Sequence, residues 1–131
     1  MPHEQMQVVA GREFWLGRLH GRPVVAVLSR IGKVAAATTA TALVERFGVR
    51  RIVFTGVAGG LAPGVNVGDL VAAEAFLQHE AAHRGLVVSG DRFVSTTAES
   101  QALLRELPQA LAVEMEGAAI AQVCRDHPRI P

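Results

Sequence analysis

Cysteine, tyrosine and charge are scarce in this chain. Its 131 residues include one cysteine, Cys124, one tryptophan and no tyrosine, and 19% of them are charged. A single thiol can neither close an internal disulfide framework nor supply a thiolate metal site, so the composition points to a reducing, cytoplasmic setting. Thirteen Lys and Arg stand against 12 Asp and Glu, a net charge of +1, with no basic stripe for nucleic acid or an anionic membrane. The one local cluster, Arg46, Arg50 and Arg51, falls at the end of a predicted helix, where cations suit the dipole. Long apolar runs are missing too: the longest uncharged stretch, Ile52 to Gly68, is broken by five glycines and Pro63. The opening Met-Pro-His-Glu-Gln-Met-Gln has neither a basic n-region nor an apolar h-region, so neither export nor a membrane span is expected.

What is present is ample apolar surface. Half the residues are hydrophobic, enough for one packed domain over residues 1–131. Arg12 to Leu19 and Pro23 to Leu28 read as a hairpin turning at His20, Gly21 and Arg22. The run Val24 to Leu28 is apolar without alternation, which predicts a central strand covered on both faces. Lys33 to Phe47, free of Gly and Pro and stopped by Gly48, predicts a helix, and Arg51 to Thr55 a strand closing a right-handed β-α-β unit. The glycine-rich run Gly56 to Gly64 lacks the G-x-G-x-x-G spacing of a dinucleotide site and reads as a loop at a strand's carboxyl end. Strands at Leu70–Ala73, Gly85–Val88 and Ala110–Val113, with helices at Thr97–Leu107 and Glu116–His127, complete an α/β pattern with a mixed, mostly parallel sheet.

His79-Glu80-Ala81-Ala82-His83 matches H-E-x-x-H, which sets two imidazoles on one helix face for zinc, and Glu99 downstream is a conceivable third ligand. The glycine and β-branched run after His83 and the absence of an extended peptidase pattern favour a polar surface segment or a chain junction instead.

Five phrases then converge: Ser29-Arg30-Ile31-Gly32-Lys33-Val34, Thr55-Gly56-Val57-Ala58-Gly59-Gly60-Leu61-Ala62-Pro63, Val67-Gly68-Asp69, Val88-Ser89-Gly90-Asp91-Arg92-Phe93 and Val113-Glu114-Met115-Glu116-Gly117. Their order along nearly the whole chain resembles the 5'-methylthioadenosine/S-adenosylhomocysteine nucleosidases of the nucleoside phosphorylase superfamily. The resemblance implies a three-layer nucleoside phosphorylase-like fold. It also implies a homodimer and hydrolysis of the N-glycosidic bond of an adenosine thioether, releasing adenine, without a metal or organic cofactor. Carried over residue by residue, Glu116 would grip the ribose diol, Met115 would pack on the sugar, and Glu114 would stand alongside. Phe93 would stack on the purine, Val94 would read the base through its backbone, Ile31 would line the sugar end, and Val57, Ala58 and Gly59 would wall the ribose. From the residues alone, Phe93 also fits core packing and Glu116 a first-turn helix acid.

The chain departs from the family pattern in several places. Val57 stands where the family has serine, and Arg30 where it has glycine. The strand whose end supplies the water-activating glutamate has no counterpart, since Glu4 follows no apolar strand. Nor has the strand that ends in the purine-protonating aspartate, which would begin at Ile130-Pro131. A further segment is expected to be missing between Glu80 and Ala81, so the fold would be incomplete at both ends, with catalytic acid and base assigned to no residue. The apolar edges left bare by such gaps predict marginal stability or self-association. Three other functions stay open. One is a remnant that binds purine nucleosides without turnover. Another is a phosphorylase, although Phe54 and Val57 stand where phosphate-binding Arg and Ser would be. The third is the zinc peptidase.

Overall fold

A computed structural model describes residues 3–73, 76–78 and 87–127. The first three strands, β1 (His3–Val9), β2 (Arg12–Leu19) and β3 (Arg22–Val27), form an antiparallel sheet in that order. Each two-residue turn places both residues in the left-handed region, Ala10 and Gly11 at φ 48° and 70°, His20 and Gly21 at φ 48° and 76°. That backbone matches the twist of the flanking strands, as tight hairpins require. β1 carries no apolar alternation that would announce it in the sequence. β3 corrects an expectation: it is the edge of this antiparallel sheet, hydrogen-bonded to β2, and not a central parallel strand. The apolar run Val24 to Leu28 is only partly covered, with Val24 and Val25 half-buried and Leu28 exposed.

Helix α1 (Lys33–Phe47) has the predicted bounds, entered through Gly32 at φ 97° and closed by Gly48 at φ 62°. The Gly48 N–H donates to the Val44 carbonyl at 3.1 Å, satisfying an end carbonyl in the left-handed cap that glycine permits. Phe47 stacks on the fully buried Phe14 of β2, ring centroids 4.7 Å apart, which fastens the helix to the sheet. Along its other side Ala36 and Ala40 pack against Ala119 and Ile120, small side chains that let two helices approach closely.

The second sheet runs in the order β4 (Gly59–Gly60), β7 (Ala112–Glu114), β6 (Val87–Ser89), β5 (Phe76–Gln78). β5, β6 and β7 are parallel and β4 is antiparallel to β7, so the sheet is mixed and mostly parallel as expected. Helix α2 (Thr97–Glu106) covers one face: Leu103 and the following Leu107 bury Val88 and Val113 with Leu61 and Ala110. Helix α3 (Gly117–Asp126) lies on the other face and packs against α1, so helices cover both sides of the sheet in three layers. A Cβ on Gly117 would come within 2.4 Å of the Phe76 ring, so glycine sets how closely α3 sits on β5.

Two expected strands are not strands. Residues 51–55 and 70–73 join no ladder, so no β-α-β unit links β3 to the segment after α1. Residues 52–56 keep the side-chain alternation of a strand, with Ile52, Phe54 and Gly56 on the cleft side and Val53 86% exposed. What they lack is a backbone hydrogen bond to another described residue, and without a neighbour an apolar alternation makes no sheet. Gly85 and Leu86, and the whole H-E-x-x-H segment from His79 to His83, lie outside the described residues.

Glu99 is engaged elsewhere than in metal binding. It accepts from the backbone N–H of Ser95 and Thr96 and from the Thr96 hydroxyl, while its own N–H donates to Thr96 Oγ1 at 3.2 Å, a capping box that starts α2. These bonds hold its carboxyl below the ordinary value of 4.5, the Ser95 N–H contributing most. A carboxyl lowered on folding stabilises the fold above its unfolded value, and that contribution is lost as pH falls through the folded one. Urea denaturation of wild type and Glu99→Gln is therefore expected to differ at neutral pH and to converge as pH falls below the folded value. A gap that persists in acid would contradict this.

Candidate functional site

The N-terminus of α3 is where the site is built. Parallel pairing sets Ser89 at the end of β6 level with Glu114 at the end of β7. Both are buried, Ser89 completely. The Ser89 hydroxyl donates to Glu114 Oε1 and accepts from the Ala118 N–H at 2.8 Å. Glu114 Oε2 accepts from the N–H groups of Glu116 and Gly117, both at 2.7 Å. A buried carboxylate and a buried hydroxyl thus satisfy three amides that the start of a helix would leave open.

Glu116 follows as the N-cap of α3, half-buried. Its Oε1 accepts from the Gly32 N–H at 2.7 Å, across 84 residues of sequence, which draws the β3–α1 loop onto the β7–α3 junction. A second link joins that loop to the one after β6: Lys33, at the first turn of α1, pairs with Asp91 at 3.3 Å. The Gly90 N–H donates to the Glu114 carbonyl at 3.0 Å. Three loops, 29–33, 89–94 and 114–116, are therefore tied at the carboxyl ends of β6 and β7, where sheets of this class bind ligands.

The expected site residues divide into two groups. Glu116, Met115, Ile31, Phe93 and Val94 sit on the three tied loops. Ile31 is 80% exposed and Phe93 73%, while Val94 is anchored against the α2 core. Two exposed apolar side chains thus stand on loops tied to the junction that carries the half-buried Glu116 carboxylate, the mixture of apolar and polar groups that a small-molecule site combines. Glu114 lies beneath that surface, with both oxygens hydrogen-bonded. Val57 and Ala58 line an adjoining open cleft of about 380 Å³, formed with Ile52, Phe54, Gly56, residues 71–73, Phe76, Val87, Ala112 and α3, and lined by Glu114 as well. Val57 itself is 97% exposed, and Gly59 lies in β4 beside β7. Cys124 borders the same cleft, and burial pushes its thiol up from the ordinary value. Among the described residues no cluster of three or more His, Cys, Asp or Glu could hold a metal ion.

Reading the sequence missed Ser89, Gly32 and the Lys33–Asp91 pair. The signal for the first was a polar residue ending an otherwise apolar strand, Val87-Val88-Ser89, one step before a glycine. At Arg30 the backbone is left-handed, φ 68°, the region glycine prefers, which explains why the resemblance sets glycine there. Arg30 reaches back to the Gly11 carbonyl at 2.5 Å.

A family model described as the phosphorylase superfamily matches residues 2–83 and 80–131. A curated 5'-methylthioadenosine/S-adenosylhomocysteine nucleosidase of Shewanella putrefaciens is 33% identical over 164 aligned positions, covering 95% of this chain and 71% of the relative. The chain belongs to the methylthioadenosine/adenosylhomocysteine nucleosidase family of the phosphorylase superfamily. Solved structures agree on the fold of these nucleosidases. A Helicobacter pylori methylthioadenosine nucleosidase mutant with 5'-methylthioadenosine in its active site superposes with TM-score 0.85 at 27% identity, over 93% of this chain and 69% of that one. The futalosine hydrolase of the same organism superposes with TM-score 0.83, also at 27% identity, over 93% of this chain and 69% of that one. The nucleosidase fold thus accounts for the three layers and for the mixed sheet, of which this chain carries part.

Proposed function

We propose that this nucleosidase-family chain acts on 5'-methylthioadenosine or S-adenosylhomocysteine, breaking the bond between the ribose anomeric carbon and the purine. Water supplies the new oxygen on that carbon, and a proton goes to the departing adenine. The observation that carries this reading is the Glu116 carboxylate, held by the Gly32 amide of the loop that presents Ile31, with the loop that carries Phe93 tied to the same junction through Gly90 and Asp91. As the bond breaks, the sugar takes on oxocarbenium character. A fixed carboxylate that accepts the ribose hydroxyls strengthens its hold as positive charge develops. Gly32 occupies Oε1, so Oε2 is the oxygen left for the diol. Phe93 supplies a flat apolar face for the purine, Val94 the adjoining backbone, and Met115 and Ile31 the apolar cover of the sugar. Val57, Ala58 and Gly59 belong to this reading as a wall beneath the ribose. Glu114 acts in it by holding the amides under Glu116. No metal or organic cofactor takes part.

The general acid and base are assigned to none of the described residues. Glu114 and Glu116 are the carboxylates placed at the junction, and each accepts backbone amides. That observation favours a second reading, nucleoside binding without turnover. Chromatography of free adenine after incubation with methylthioadenosine separates the two. Release supports hydrolysis, and its absence with retained binding supports the second reading. Absence of both removes the proposal.

A homodimer and a cytoplasmic setting are also part of this proposal. The lone Cys124 suits a reducing compartment. No described helix is long and apolar enough to cross a membrane. Val53, Val67 and Leu70 are almost fully exposed, an apolar surface that association would cover. Sedimentation equilibrium is expected to give a dimer or larger species at micromolar concentration, and a monomer there would contradict it.

A further inference from the structure

We infer that Ser89 is a positioning residue for ribose recognition, acting on Glu116 through Glu114. The inference rests on the reading of Glu116 as the diol acceptor. Ser89 is fully buried at the end of β6 and has no route to a ligand of its own. Its hydroxyl spends both capacities on the junction, donating to Glu114 Oε1 and accepting from the Ala118 N–H at 2.8 Å. With Oε1 pinned, Glu114 can present Oε2 to the N–H groups of Glu116 and Gly117. Those two bonds fix the backbone at the residue whose side chain meets the Gly32 N–H. The chain of contact runs from Ser89 to Glu114 to the Glu116 backbone, and so to the direction in which the Glu116 carboxylate leaves α3.

Phe93 and Val94 hang on the other links, the Lys33–Asp91 pair and the packing of Val94 on the α2 core. Loss of the Ser89 hydroxyl therefore separates two ends of the same site. The sugar end loses its fixed geometry while the purine end keeps its supports. A merely structural Ser89 would weaken both ends together.

The test uses calorimetric binding of three probes to the 131-residue chain: adenine, a non-hydrolysable 9-deaza analogue of methylthioadenosine, and its 3'-deoxy counterpart. Wild type is expected to favour the diol over the 3'-deoxy probe by about tenfold or more, the worth of one charged hydrogen bond. In Ser89→Ala that preference should fall about tenfold, with adenine affinity unchanged within about twofold. An unchanged preference, or an equal loss for all three probes, overturns the role of Ser89. A wild type with no preference for the diol instead removes the reading of Glu116, and this inference with it. Should Ser89→Ala lose its circular dichroism signal, Ser89→Cys, of similar size and with a weaker donor, is read by the same ratio.

Discussion

Replacing Glu116 by Gln is expected to lower adenine release from methylthioadenosine by about 10²-fold or more, with little change in the folded state. Glutamine keeps an oxygen of the same reach for the Gly32 N–H, now 2.7 Å from Oε1, so the tie between the two loops survives. What it removes is the negative charge on the oxygen that would meet the diol. A neutral amide accepts a hydroxyl less strongly and gives a developing ribosyl cation no electrostatic partner. The loss should fall mainly on kcat, because the interaction gains most as the glycosidic bond opens. Equal rates in wild type and Glu116→Gln, by the same chromatographic assay, would mean that the carboxylate is only a helix-end acid.

Glu114→Ala is expected to act on the fold, lowering the free energy of unfolding by about 3–5 kcal/mol. Two amides, those of Glu116 and Gly117, lose their acceptor, and the Ser89 hydroxyl loses its own. Each buried polar group left open costs about 1–3 kcal/mol, and water has little access where Glu114 and Ser89 are buried. For a domain with a total stability of about 5–15 kcal/mol, such a loss is a large fraction. Urea titration should rank them in falling stability as wild type, Glu114→Gln and Glu114→Ala, since the glutamine amide oxygen still accepts. A change under about 1 kcal/mol for Ala would contradict the role given to this carboxylate.

Helices were legible in the sequence because their ends carry chemistry. Gly48 marks the end of α1 in the sequence, and the bounds expected for α1 and α2 agree with the structure to within a residue or two, although the Thr96–Glu99 capping box that opens α2 went unread. Strands were less legible because a strand is defined by its neighbour. Ile52 to Phe54 have the alternation of a strand and pair with nothing described, while Val24 to Val27 read as interior and lie at an edge. The site divides in the same way. Glu116, Phe93 and Ile31 came from phrases shared with the nucleosidases. The contacts that assemble them, Gly32 to Glu116 and Ser89 to Glu114, join residues 84 and 25 positions apart, which no local pattern announces. Glu99 was a candidate metal ligand by spacing alone, until its three acceptor bonds placed it in a helix cap.

The central claim is that an adenosine thioether binds on the loops tied at the start of α3, and amide shifts in a ¹H–¹⁵N titration with methylthioadenosine test it most directly. The account predicts the largest shifts at Gly32, Phe93, Val94, Met115 and Glu116, with Leu19 and Arg105 unmoved. Shifts confined to Ile52, Phe54, Ala73 and Cys124 would put the ligand in the apolar cleft instead and contradict it.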